Sequence, residues 1–107
     1  MTGIGHMYEK GLGVEMNDSI AFDWFQRAAD AGDSSGMLYV GLGYYYARGV
    51  EKSWTEALKW YLKAAEAGNA GAMKWVSDMY RDGQGTAADV EKANEWYLRA
   101  VEAGYIA

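Results

Sequence analysis

Trp24, Trp60 and Trp96 stand 36 residues apart, and so do Gly32, Gly68 and Gly104. The same step joins Tyr8, Tyr44 and Tyr80, then Gly13, Gly49 and Gly85, then Ala28, Ala64 and Ala100. Met1, Met37 and Met73 keep the register, as do Ala21, Ala57 and Ala93. No gap is needed anywhere. A fixed step of this length is the mark of a stacked-repeat architecture, in which one unit cannot bury its own apolar face and neighbours share a core. The 107 residues form one array of three units, 1–36, 37–72 and 73–107.

Each unit reads as two helices. In the middle copy, Ser53 offers a side-chain oxygen to a free N–H at a helix start, and Asn17 and Asp89 occupy its column. Ser53 with Glu56 has the spacing of a capping box. Ala57, Trp60, Tyr61 and Ala64 then fall at helical spacing and predict a buried face, with Lys63 on the opposite side. Gly68 follows the last turn, where a left-handed residue is wanted. The other helix of the unit buries Met37, Val40, Gly41 and Tyr44, with Met73, Val76, Ser77 and Tyr80 as its counterparts. The small residue inside that stripe marks close approach of a neighbour, with the tryptophan as candidate filler. Helices are expected near 1–11, 18–31, 34–47, 54–67, 70–82 and 90–103, and no segment alternates as a strand does.

Composition narrows the chemistry. There is no cysteine and a single histidine, His6, so thiolate metal sites, disulfides and histidine-based triads have no material. Ten basic against fifteen acidic residues give a net charge of −5. That balance, without a basic stripe, speaks against nucleic acid and anionic membranes as partners. No apolar run is long enough to span a bilayer. The pairs Gly11-Leu12-Gly13 and Gly83-Gln84-Gly85 lack the rest of any phosphate-loop pattern and read as repeat turns. Carboxylate pairs such as Asp78 with Asp82 read as solvated helix faces. We expect no enzyme, no metal and no cofactor.

The stretches IGHMYEKGLGV (4–14), EALKWYLKAAEAG (56–68) and KANEWYLRAVEAG (92–104) resemble the Sel-1-like repeat, a relative of the tetratricopeptide repeat. The resemblance covers the whole chain and recurs at the family's spacing. Ala47 replaces a loop glycine in the second copy, Ser77 the small glycine in the third, and Thr86 stands where the family has valine. Some cysteine-rich members carry a β-lactamase label, but none of the serines here has lysine three residues on, and KTG and SDN are absent. The resemblance implies an all-α, right-handed α-solenoid whose first helices line a concave protein-binding surface. It implies an adaptor or scaffold. An inhibitor or immunity protein blocking a toxic enzyme, and an architectural segment of a longer array, are the alternatives.

Positions that vary between copies, opposite the buried stripe of the first helix, are the candidate recognition surface. They are Gly3, His6 and Lys10, then Tyr39, Leu42 and Tyr46, then Trp75, Asp78 and Asp82. The expected partner, a protein or peptide, meets Tyr39, Leu42, Tyr46 and Trp75 through apolar area, with Asp78 and Asp82 selecting positive charge. Neither end shows a dedicated polar cap, so weak self-association is expected; a piece cut from a longer array and a natural short protein account for such ends equally well. Missing cysteines favour the cytoplasm, with a periplasmic or secreted setting as the alternative for a piece of a longer chain.

Overall fold

The computed structural model describes residues 17–105. Over them the chain forms five helices and no strand: α1 Asp18–Asp30, α2 Ser34–Tyr46, α3 Trp54–Glu66, α4 Ala70–Asp82 and α5 Val90–Glu102. These are the five helices expected in this range, each ending within one residue of its expected end. The helix expected over 1–11 lies outside the described residues. Successive helices pack on one another, α1 on α2 through α4 on α5, as stacked hairpins of an α-solenoid.

The ends of the helices follow from the repeating caps. Asn17, Ser53 and Asp89 each accept the backbone N–H three residues on, at 3.1, 3.2 and 3.0 Å. Asp33 and Asn69 cap α2 and α4, accepting from Ser35 and Ala72, both at 2.9 Å. The return arm of the capping box at Ser53 is replaced by a tertiary bond: the Ser53 N–H donates to the Tyr44 carbonyl at 3.0 Å. The same bond recurs one unit on, from Asp89 to Tyr80 at 2.8 Å, and ties each loop to the helix before it. At the far end of α3, Gly68 turns left-handed at φ 94°, and Asn69 N–H closes back on the Ala64 carbonyl.

The core runs between hairpins. Ala57, Leu58, Tyr61, Ala64 and Ala65 of α3 meet Ala72, Met73, Val76 and Met79 of α4, with Ala100 of α5 beyond them. A second cluster joins Ala21, Phe25 and Ala29 of α1 to Val40 of α2. Tyr61, not Trp60, is the deepest large side chain of α3, at 0% exposure. Its ring is what fills the space left by Gly41, where an added Cβ would stand 2.5 Å from Tyr61 Cε1.

The three tryptophans of the repeating column, Trp24, Trp60 and Trp96, sit at the margin of the core, half-buried, each under a cation three residues later. Arg27 lies 5.0 Å from the ring centre of Trp24, Lys63 4.4 Å from Trp60 and Arg99 4.1 Å from Trp96. Residues three apart on a helix are neighbours, so Lys63 shares the face of Trp60 instead of opposing it. This corrects the sequence expectation.

Candidate functional site

The seam between hairpins brings aromatic rings to the face shared by α2 and α4. Phe25 of α1 stacks on Tyr39 of α2, with centroids 4.8 Å apart and planes 25° apart. One repeat on, Tyr61 of α3 stacks on Trp75 of α4 at 5.4 Å and 17°. Each pair links the second helix of one unit to the first helix of the next. Tyr39 and Trp75, expected on the recognition surface, are half-buried at this seam.

Around Trp75 the rings continue. Tyr45 lies 5.1 Å and Tyr46 6.1 Å from it. Tyr45 also packs on Tyr46 at 4.8 Å and on Trp54, at the start of α3, at 5.9 Å. Tyr46 is 52% exposed and Trp54 37%, so this is a surface, not a closed core. Two cations ride its outer rings, Arg48 at 5.6 Å from the Tyr46 centroid and Lys52 at 4.7 Å from that of Trp54. Leu42 is half-buried and packs against the core beneath. A depression lined by Phe22, Phe25, Tyr39, Leu42, Tyr46 and Arg48 opens beside the rings.

The two acids are less available than their sequence positions imply. Asp78 takes Lys74 Nζ on both oxygens, at 2.6 and 2.8 Å, and Arg81 Nη2 at 3.0 Å. Asp82 lies 3.4 Å from Arg81 Nε. Two cations between two carboxylates leave this corner of the face without surplus negative charge.

Three further residues adjoin these rings and were not among the expected recognition residues: Tyr45, Trp54 and Tyr61. Tyr45 sits one residue outside the column chosen as surface, and its hydroxyl donates to Gln84 Oε1 at 3.1 Å, tying α2 to the turn after α4. Tyr61 lies in a column read as packing alone. Its hydroxyl is buried and has no hydrogen-bond partner. Burial first, and then the nearby Tyr46 and Tyr45, push its ionisation well above the ordinary phenol range, so it remains a neutral hydroxyl. Among the described residues no group of three or more histidines, acids or cysteines gathers as a metal site, and no helix is long and apolar enough to cross a membrane.

Stacked helical hairpins joined by an aromatic seam define a repeat protein with an open aromatic face. The Sel1 repeat model matches three times, over residues 1–33, 34–69 and 70–105, and the second and third matches begin where α2 and α4 begin. The chain belongs to the Sel1 repeat family. Proteins of this family are in general non-catalytic scaffolds for protein interaction. A Sel1 repeat protein from Oxalobacter formigenes is 41% identical and superposes with a TM-score of 0.92, over 96% of this chain and 42% of that one. A protective antigen present in uropathogenic Escherichia coli strains, which displays the same fold, is 32% identical with a TM-score of 0.94, over 97% of this chain and 22% of that one. Cysteine rich protein B of Helicobacter pylori shares the fold at 19% identity and a TM-score of 0.80, over 83% of this chain and 67% of that one. The chain thus spans less than half the length of the first two. No curated protein matches it.

Proposed function

We propose that this chain is a non-catalytic binding module that holds a protein or peptide against the face built by α2 and α4, the concave face of the solenoid. One observation carries the reading. Tyr45, Tyr46, Trp54 and Trp75 form a continuous aromatic surface that stays partly open to solvent although an apolar core lies directly beneath it. Aromatic side chains offer large contact area with few rotors to immobilise, which is why they dominate the energetics of protein recognition. Tyr39, Leu42, Tyr46 and Trp75 supply the apolar contact, joined by Tyr45 and Trp54. Asp78 and Asp82 lie at one edge, where their pairing with Lys74 and Arg81 makes them hydrogen-bonding neighbours more than a charge filter.

A random-peptide display selection on the folded protein tests this. Selected peptides should lose binding to a Tyr46→Ala, Trp54→Ala double variant, in which two exposed rings are removed and the helical circular dichroism is kept. Selected peptides that bind the folded double variant unchanged would remove this face from consideration.

A further inference from the structure

The hydrogen-bonding character of the aromatic face is lopsided. Acceptors at Asp78 and Gln84 are engaged: both oxygens of Asp78 hold Lys74, one of them also holds Arg81, and Gln84 Oε1 holds the Tyr45 hydroxyl. Three donors beside them have no protein partner among the described residues. The Tyr61 hydroxyl is fully buried with no partner, at the root of the ring cluster, beneath Trp75 and close to Tyr45 and Tyr46. Trp54 and Trp75 carry indole N–H groups, which donate and never accept. A buried polar group left unpaired is costly, and its placement in a ring cluster at the surface points to an incoming acceptor.

The charged groups around the rings carry no surplus of negative charge. Arg48 and Lys52 ride the outer rings, while Lys74 and Arg81 are matched by Asp78 and Asp82. A ligand suited to this face is apolar, brings acceptors, and brings few donors of its own. A proline-rich segment in the polyproline II conformation has that profile. Its rings pack on aromatic side chains, its carbonyls point outward, and its prolines lack N–H groups. It also arrives pre-extended, so little chain entropy is lost on docking. Sugars, which also stack on aromatic rings, carry hydroxyl donors that this face has few acceptors to meet.

Resting on the binding role proposed above, we propose that the partner is a proline-rich segment in polyproline II conformation, laid across Tyr45, Tyr46, Trp54 and Trp75. One of its carbonyls takes the Tyr61 hydroxyl once the ring cluster above it opens.

Titration of the intact chain with a decaproline peptide, followed by NMR at the indole N–H signals and by tryptophan fluorescence, tests this. Saturable shifts at Trp54 and Trp75 with a dissociation constant below about 1 mM are expected. A glycine–serine peptide of equal length and a cello-oligosaccharide should give none. Tyr61→Phe keeps the ring and removes only the hydroxyl, so it should fold normally and weaken decaproline binding about threefold to tenfold. No saturable binding of decaproline, or equal binding by Tyr61→Phe, overturns the inference, as does a sugar that binds as well. The display selection separates the two levels. Selected peptides that need Tyr46 and Trp54 but contain no proline defeat the proline class and leave the binding face standing. Peptides indifferent to both rings defeat both.

Discussion

Replacing Gly41 with alanine sets two opposite expectations against each other. Inside an ordinary helix the added methyl group stabilises by about 0.5–1 kcal/mol, because glycine loses more freedom on folding. Here the new Cβ would stand 2.5 Å from Cε1 and 2.6 Å from Cδ1 of Tyr61. Carbon atoms settle at about 3.5–4.0 Å, so the ring would have to retreat by about 1 Å. It has nowhere to go: Tyr61 is 0% exposed and stacked on Trp75 at 5.4 Å. Overpacking of this kind costs about 1–3 kcal/mol, and overlap with two ring carbons places it at the upper end. Subtracting the helical gain leaves a net loss of about 2 kcal/mol. Urea unfolding followed by far-UV circular dichroism measures it, and tryptophan emission reports whether Trp75 shifts with the ring. In a Tyr61→Leu background the same substitution should lose most of its penalty. A Gly41→Ala variant as stable as the parent, or more stable, would show that Tyr61 does not interlock with α2 here.

Trp60→Ala should cost about 2 kcal/mol, less than a fully buried tryptophan, because the ring is only half covered. Lys63→Ala should cost about 0.5 kcal/mol through the lost cation–π contact, and equal losses in urea unfolding would mean that the face is misassigned. Ala47 is left-handed at φ 57° and ψ 45°, a conformation that strains an L-residue, so Ala47→Gly should stabilise by about 1 kcal/mol. Gly83→Ala, at the equivalent position with φ 70° and its Cβ 3.3 Å from Ala88 N, should lower the thermal midpoint, and a rise would contradict the turn geometry. On α5, Val90, Leu98 and Val101 are 61%, 63% and 48% exposed, so concentration-dependent association is expected in sedimentation. A strict monomer at millimolar concentration would show that this face needs no cover.

The helices were legible in the sequence because their boundaries are written in local chemistry: Asn17, Ser53 and Asp89 in one column, Gly32, Gly68 and Gly104 in another. The site was legible only in outline. A helical wheel locates a stripe to within a residue or so, and it ranked Trp60 above Tyr61 because tryptophan is the rarer and larger residue. Which ring fills the gap at Gly41 depends on how deeply α3 sits against α2, a tertiary distance that no period encodes. The pairing of Asp78 with Lys74 and Arg81 is a helical i,i+4 and i,i+3 pattern, so that signal is present in the sequence. The turn-borne Gln84 meets Tyr45 across 39 residues of chain, and nothing local announces it.

Tyr39 and Trp75 vary between units, which marked them as recognition residues, yet each is stacked on an aromatic ring of the hairpin before it. The two roles are compatible for a physical reason. An aromatic ring has two faces, and a ring at the seam can give one to its neighbour and leave an edge or face toward solvent. Substituting such a position changes the stacking energy between hairpins together with the contact offered to a partner. Tyr46 and Trp54 lie farther from the seam, and their exposure makes them the positions where binding and stability separate. A loss of affinity in Trp75→Ala therefore mixes both effects, whereas the same loss in Tyr46→Ala with unchanged unfolding is a property of the surface alone. Tyr61→Phe goes one step further, because affinity should fall without any loss of stability. Removing an unpartnered buried hydroxyl stabilises the fold or leaves it unchanged, while the hydrogen bond offered to a ligand is lost.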